Sequence, residues 1–352
     1  MTIPKSSRFD PSAVLGSGCF VNIVTGARSF GKTYAFKKRG IKNYLERGET
    51  WCYLRTFDAT LDEMLKKNAE PFFSDVERNK EFPNYCFRTL GRLMQLAKIP
   101  QDGKNPKWET FGVFAAITTF DAKKGATNAH MTMIVYDEFI SEKGNAGYPP
   151  LVVDKLMNVW ETYDRRENRT KIYMLANAAN EVNPFFREWN ITPIPKGTTH
   201  KFPVGNSAVF YQNAYSRAFQ KAADNSAIGA FTQGSSYARY ASENEFKTHT
   251  GLFVANKPKN CRCAYTIIFR GETFGVWQPS EPGNVYITRK GSKNSVQIVL
   301  SQVDMRPNYV MLEMRTPILK QLMHRYRMGC LWFDSDGTRE LFNEIMQRLG
   351  IR

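Results

Sequence analysis

One stretch near the start of the chain constrains what the rest can fold into. Phe20-Val21-Asn22-Ile23-Val24-Thr25 is a short run of mostly apolar, β-branched residues, the composition of a buried strand. It runs directly into Gly26-Ala27-Arg28-Ser29-Phe30-Gly31-Lys32-Thr33, a full match to the pattern G-x-x-x-x-G-K-[ST], and a helix-compatible run follows. Strand, glycine loop and helix in that order make a phosphate cradle. The loop offers unpaired backbone N–H groups at the positive end of a helix dipole. Gly26 and Gly31 let the chain curl, Lys32 is expected to reach the β- and γ-phosphates, and the Thr33 hydroxyl to ligate Mg²⁺. The stretch therefore predicts a nucleotide-binding site.

The chain of 352 residues has length for two or three domains, and 42% hydrophobic and 23% charged residues are ordinary for a globular protein. No apolar run approaches the roughly 20 residues of a membrane span, and residues 1–10 lack the apolar centre of a signal peptide. A cytoplasmic protein without a membrane partner is the expectation. Six cysteines (Cys19, Cys52, Cys86, Cys261, Cys263, Cys330) show no paired C-x-x-C spacing and the four histidines are scattered, so reduced thiols are expected and neither zinc nor disulfides. The net charge of +16 favours a polyanionic partner. Residues 246–352 carry 16 Lys and Arg against 8 Asp and Glu, so half of the excess lies in the last third.

After the loop, residues 32–46 read as a helix ending at Gly48, Trp51-Cys52-Tyr53-Leu54-Arg55 as a strand, and residues 84–90 and 108–118 as further strands. A strand between the phosphate loop and the next motif suits the additional-strand class of P-loop ATPases. That motif is Met131-Thr132-Met133-Ile134-Val135-Tyr136-Asp137-Glu138, an apolar strand ending in two carboxylates about 105 residues after the loop. A run apolar on both faces fits a central parallel strand. Asp137 would hold Mg²⁺ and Glu138 would orient the attacking water. Residues 151–164 carry apolar residues at helical spacing and end in Asp164-Arg165-Arg166-Glu167-Asn168-Arg169. Lys171-Ile172-Tyr173-Met174-Leu175-Ala176 is another buried strand, and Asn177 at its C-terminal end could sense the γ-phosphate or hold the attacking water.

From residue 196 to about 245, Gly, Ala, Ser and Asn rise and long apolar strands vanish, which reads as a linker with small helices. Residues 264–270, 273–278 and 284–289 then form an expected antiparallel meander, with another strand at 295–300 and helices at 316–328 and 338–349. The expected boundaries are an ATPase domain at 1–197, a linker at 198–245 and a nucleic-acid-binding α+β domain at 246–352. Arg55, Lys104 and Lys123 lie in segments that could face DNA, although solvated charge describes them as well.

With these residues in view, the chain resembles the DNA-packaging ATPases of small tailed phages of the phi29 type. Matching stretches are residues 25–35, Ile134-Val135-Tyr136-Asp137-Glu138-Phe139-Ile140, Leu175-Ala176-Asn177-Ala178 and Asn183-Pro184-Phe185-Phe186. The later Gly271-Glu272-Thr273-Phe274-Gly275-Val276-Trp277 and Gly329-Cys330-Leu331-Trp332-Phe333-Asp334 match as well and make the likeness specific. The resemblance implies a homomeric ring, expected to be pentameric, docked on the portal of a procapsid in the host cytoplasm, absent from the mature virion and driving double-stranded DNA inward. A packaging RNA is a further possible partner. It also implies two groups that act on the neighbouring subunit's nucleotide: Arg165, with Arg166 and Arg169 as neighbours open to the same role, and Lys124. A trans arginine can contribute about 10³–10⁵ in rate.

The last third resembles the RNase H-like nuclease domain of larger packaging motors. Two-metal cleavage needs carboxylates that hold ions about 4 Å apart. The strand at 264–270 carries no acid, and Glu272, Asp304, Asp334 and Asp336 are scattered, so a vestigial, nuclease-inactive fold is expected. Two other readings are a nucleotide-gated nucleic-acid-binding assembly factor and a small-molecule P-loop kinase. The kinase reading leaves the basic tail without a purpose.

Overall fold

The computed structural model describes residues 7–66, 70–100, 105–123, 130–141, 148–177, 183–233, 253–280, 283–311 and 316–348. The described residues up to 233 pack as one compact unit, and those from 253 onward as a second.

The first unit is built on a nine-stranded sheet. Its strands in chain order are β1 (Val21–Gly26), β2 (Thr50–Arg55), β3 (Tyr85–Leu90), β4 (Leu93–Lys98), β5 (Glu109–Ala116), β6 (Met131–Asp137), β7 (Lys171–Ala176), β8 (Thr199–Val204) and β9 (Ser207–Ala214). They lie side by side as β3-β4-β5-β2-β6-β7-β1-β9-β8. The six central strands from β5 to β9 are all parallel, and antiparallel strands close both edges. Alternate residues of the central strands enter apolar layers on opposite faces. Ile134 and Tyr136 of β6 pack with Leu156 and Val159 of the helix Val152–Asp164. Met133 and Val135 face the other layer with Phe36 and Ile41 of the helix Lys32–Arg47. Burial on both faces is why these strands read as continuous apolar runs.

β1 is buried along its whole length between β7 and β9, and its polar residues are satisfied inside the sheet. The Asn22 amide donates to the carbonyls of Cys19 and Ile172 at 3.0 and 3.3 Å, and its oxygen accepts from Ser17 at 2.6 Å. The helix that follows the loop approaches β2 closely. A Cβ on Gly40 would lie 2.6 Å from the Trp51 indole, so only glycine lets helix and strand meet there.

Two features depart from the sequence reading. β4 was not expected, because Leu-Met-Gln-Leu-Ala-Lys is too short for its period to separate strand from helix. Residues 199–214, assigned to a linker of small helices, instead form β8 and β9, and β9 pairs in parallel with β1. Only after them come the short helices Arg217–Asp224 and Ala227–Thr232. Strands do lie between the phosphate loop and β6 in the chain, as expected, and within the sheet it is β7 that stands between β1 and β6.

The second unit holds a six-stranded sheet of β10 (Cys261–Phe269), β11 (Glu272–Pro279), β12 (Val285–Thr288), β13 (Val296–Val299), β14 (Val310–Met311) and β15 (Leu331–Phe333), in the order β14-β13-β10-β11-β12-β15. β10, β11 and β12 form the expected antiparallel meander. β13, β14 and β15 join it as parallel neighbours. The helices Pro317–Arg327 and Asp336–Arg348 accompany the sheet. All six cysteines are free thiols. Among the described residues, no helix is long and apolar enough to cross a membrane.

Candidate active site

The phosphate loop leaves the C-terminal end of β1 and enters the helix Lys32–Arg47, so its backbone N–H groups gather at the helix start. Gly31 caps that start with φ 97°, a left-handed conformation that costs a residue with a side chain far more than glycine. Ser29 also has positive φ, 58°. The loop is braced from behind. Phe30 is buried against Phe219 with ring centroids 4.9 Å apart, and the Phe9 N–H donates to the Phe30 carbonyl at 3.0 Å. Ala27 and Phe30 therefore turn their side chains into the core, while Arg28 and Ser29 face outward.

Lys32 is buried, and its ammonium folds back onto the loop, donating to the carbonyls of Gly26 at 2.6 Å and Ala27 at 2.9 Å. Burial lowers its pKa to about 8, against the opposing pull of the Asp137 carboxylate. The third acceptor of Lys32 is the Asn177 side-chain oxygen at 3.2 Å. The additional strand thus delivers Asn177 to the phosphate loop.

β6 delivers the two acids. Asp137 is buried at the strand's last position, and its Oδ2 accepts from the Thr33 hydroxyl at 2.8 Å and from the Tyr53 hydroxyl at 2.8 Å. Its Oδ1 accepts from the Glu138 N–H at 3.0 Å. Glu138 adopts a left-handed φ of 53°, which turns it off the strand and out of the sheet. Such strain in a residue with a side chain persists only where its surroundings fix it, and it gathers at functional sites. Thr33 and Asp137 form the oxygen pair a hard divalent cation takes, one hydroxyl and one carboxylate held together beside a phosphate loop, so the donor set fits Mg²⁺.

Gly26, Lys32, Thr33, Asp137, Glu138 and Asn177 thus stand together at the C-terminal edge of three adjacent parallel strands, the edge where open α/β sheets take ligands. Residues 3–351 match the family described as Podovirus DNA encapsidation protein (Gp16). The chain belongs to this family. It is 26% identical over 351 residues to the DNA packaging protein of Bacillus phage phi29, covering 99% of each chain. It is 25% identical over 335 residues to that of Bacillus phage B103, covering 94% of this chain and 98% of the relative. In fold it is similar to the solved bacteriophage Phi-29 viral genome packaging motor assembly, with a TM-score of 0.68, 24% identity, and 97% and 99% of the two chains covered. Its first unit is also similar to the crystal structure of the N-terminal domain of the DNA packaging ATPase from bacteriophage phi29, with a TM-score of 0.50 and 28% identity over 60% of this chain and 98% of that one.

Of the expected trans-acting residues, the arginines at 165, 166 and 169 are not at this edge. Arg165 follows the helix Val152–Asp164 and precedes β7, so it sits where β7 begins, while Asn177 sits where β7 ends. A six-residue strand is about 20 Å long, which keeps Arg165 from its own phosphate loop. Arg165 is exposed, and no partner of its side chain occurs among the described residues. Arg166 pairs with Glu161 at 3.0 Å, and Arg169 is half-buried and pairs with Glu167 at 2.9 Å. Lys124 lies outside the described residues, as does Lys104.

Arg55 corrects an expectation. It is no solvated loop charge free to face DNA: it ends β2, its side chain is only 16% exposed, and it forms an ion pair with Glu138. It also donates to the Tyr53 hydroxyl at 3.4 Å. Burial works against its charge, but Tyr53, Glu138 and Asp137 more than offset this and raise its pKa. Tyr53 and Arg55 were both missed as site residues. β2 lies beside β6 with Tyr53 opposite Val135 and Leu54 opposite Tyr136, a register that sequence spacing alone does not reveal.

Proposed function

We propose that the chain is the ATP-hydrolysing subunit of a homomeric ring, expected to be pentameric, that drives double-stranded viral DNA into a procapsid. The observation that carries this reading is the convergence of Lys32, Thr33, Asp137, Glu138 and Asn177 on one loop, in a chain of the DNA encapsidation family. The loop N–H groups of residues 26–33 would bind the phosphates, and Lys32 would exchange its two loop carbonyls for phosphate oxygens. Thr33 and Asp137 would hold Mg²⁺, which when bound supplies positive charge against the phosphate oxygens. Glu138, once released from Arg55, would orient the attacking water and accept its proton. Asn177 would sense the γ-phosphate through the ammonium it shares with Lys32.

Arg165 would complete the site of the neighbouring subunit, with Lys124 as a second trans group. Its place at the far end of β7, its exposure, and the ion pairs that occupy Arg166 and Arg169 favour it among the three arginines. The ring would dock on the portal in the host cytoplasm and leave before the virion matures, with a packaging RNA as a further candidate partner.

The chain would divide into the ATPase domain, a linker and a basic nucleic-acid-binding domain of RNase H-like type. In the last, Lys320, His324 and Arg325 line a cavity beside Tyr265 and Gln278, a cationic wall suited to phosphate groups. No nuclease activity is expected, because three of the four candidate acids are engaged. Asp304 accepts from the N–H groups of Arg270 and Gly271 at 2.6 and 2.8 Å, Glu272 pairs with Arg289, and Asp336 pairs with Arg339. Cleavage of DNA with Mg²⁺ or Mn²⁺ that disappears in Asp334→Ala would overturn this part. The main reading is tested by ATP turnover with and without double-stranded DNA. Stimulation by DNA and its loss in Glu138→Gln are the expected results, and unstimulated turnover that survives Glu138→Gln would refute it.

A further inference from the structure

We infer that Asp164 is a positioning residue that holds the Arg165 loop in the shape a neighbouring subunit uses. The inference rests on the reading that Arg165 acts in trans. The helix Val152–Asp164 buries Val152, Leu156, Val159 and Tyr163 and ends on Asp164, whose residue surface is only 6% exposed. The chain then winds around this one residue. The Glu167 N–H donates to the Asp164 backbone carbonyl at 2.9 Å. The Asn168 N–H donates to its Oδ2 at 3.0 Å, and those of Arg169 and Thr170 to its Oδ1 at 2.9 and 2.7 Å. Every backbone N–H from residue 167 to 170 therefore ends on Asp164.

The loop needs this organiser, because its backbone is costly. Arg165, Arg166 and Asn168 have φ of 51°, 63° and 56°, all left-handed. A helix commonly ends with a single glycine in that conformation, whereas this chain places two arginines and an asparagine there. A carboxylate receiving three backbone N–H groups favours its ionised form, and the Asp164 pKa is accordingly lowered although burial opposes this. The exit of the loop is also pinned. The Thr170 hydroxyl donates to the Met131 carbonyl at 2.8 Å, and the Trp160 indole donates to the Thr170 carbonyl at 2.9 Å. Both ends and the middle are thus fixed, and the exposed Arg165 guanidinium is displayed from a rigid turn. A reacting group displaced by about 1 Å can cost about 10² in rate, so rigidity there has a kinetic consequence.

The test uses the full-length chain in its DNA-stimulated form, with Asp164→Ala, Asp164→Asn and Arg165→Ala. Asp164→Ala is expected to lower kcat about 10²-fold, while the affinity of each subunit for a fluorescent ATP analogue stays at the wild-type value. Asp164→Asn keeps an oxygen for Arg169 and Thr170 and loses the acceptor for Asn168, so its kcat should fall between the two; it carries the test if the alanine variant does not fold. Mixing separates positioning from general damage. Rings mixed from Asp164→Ala and Glu138→Gln subunits should regain turnover, because one subunit brings the intact loop and the other the intact water-orienting site. Wild-type kcat in both Asp164 variants, or a mixed ring that stays inactive where Arg165→Ala mixed with Glu138→Gln recovers, would overturn the role of Asp164 and leave the trans reading standing. Wild-type kcat in Arg165→Ala would instead remove the trans reading and this inference with it.

Discussion

Arg55→Ala tests how the Glu138 carboxylate is held before DNA engages. The Arg55 side chain is 16% exposed and that of Glu138 is 62% exposed, so water screens one side of the pair. A half-exposed ion pair is worth up to about 1 kcal/mol, or a factor of about five. On the proposed reading, the Arg55 guanidinium on Oε2 lowers the basicity of Glu138 and holds it away from an attacking water. Removing Arg55 should therefore raise the turnover measured without DNA, by up to about fivefold. The rate with saturating DNA should change little, so the ratio of stimulated to basal turnover should fall by the same factor. Arg55→Lys retains a cation but not the fork that fits a carboxylate, and its basal rate should lie between those of wild type and Arg55→Ala. The assay is steady-state phosphate release at saturating ATP and Mg²⁺, with and without double-stranded DNA. A basal rate that falls in Arg55→Ala would refute the reasoning, because Arg55 would then be serving the reaction instead of restraining its base.

Three further outcomes follow from the same edge of the sheet. Burial lowers the Lys32 pKa to about 8, and phosphate contacts should raise it, so ADP binding at pH 8 should take up a fraction of a proton. Calorimetry in buffers of different ionisation enthalpy reads this directly; a heat independent of buffer at pH 8 would contradict it, and Lys32→Arg should abolish the uptake. Tyr53→Phe removes one of the donors on Asp137 and leaves Thr33 and the Glu138 N–H. A hydrogen bond to a charged group contributes about 1.5–3 kcal/mol, so the Mg²⁺ concentration giving half-maximal ATP turnover should change by at least tenfold, and an unchanged Mg²⁺ titration would count against a role for Tyr53. Gly40→Ala drives a methyl into the Trp51 indole and should destabilise the first unit by about 1–3 kcal/mol in urea unfolding.

The parts of this site legible in the sequence are those that the chain holds next to one another. Residues 20–33 carry strand, loop and helix in a single local pattern, and β6 and β7 announce themselves because a strand buried on both faces leaves no polar gap. Asn177 could be placed because strand ends at one edge of a parallel sheet share a neighbourhood. Arg55 and Tyr53 were not legible as site residues. Their partners Glu138 and Asp137 lie more than 80 residues away, and only the alignment of β2 on β6 brings them together. β8 escaped notice for another reason. It is an edge strand with one buried residue, Phe202, and with a proline that an edge position tolerates, so neither alternation nor an apolar run marks it. Asp164 read as one charge among five at a helix end, since nothing in its spacing shows that the next turn is wound around it.

The topology also accounts for why the proposed site has to be shared. The phosphate loop, the two acids and Asn177 come from the C-terminal ends of β1, β6 and β7. The helix Val152–Asp164 returns the chain to the opposite edge, because a parallel strand can be entered only from its N-terminal end. Whatever the loop before β7 displays is therefore displayed away from the subunit's own nucleotide, by the length of a six-residue strand. No side-chain movement of Arg165 crosses about 20 Å of packed sheet. For Arg165 to touch a nucleotide, that nucleotide must belong to another copy of the chain, set with its strand ends against this subunit's strand beginnings. Such a head-to-tail contact uses two different surfaces of each copy, and it closes into a ring when the rotation between copies divides a full turn. On the proposed reading a single subunit would carry both halves of the contact and complete neither by itself, so turnover in Arg165→Ala should be restored only by a neighbour that brings its own arginine.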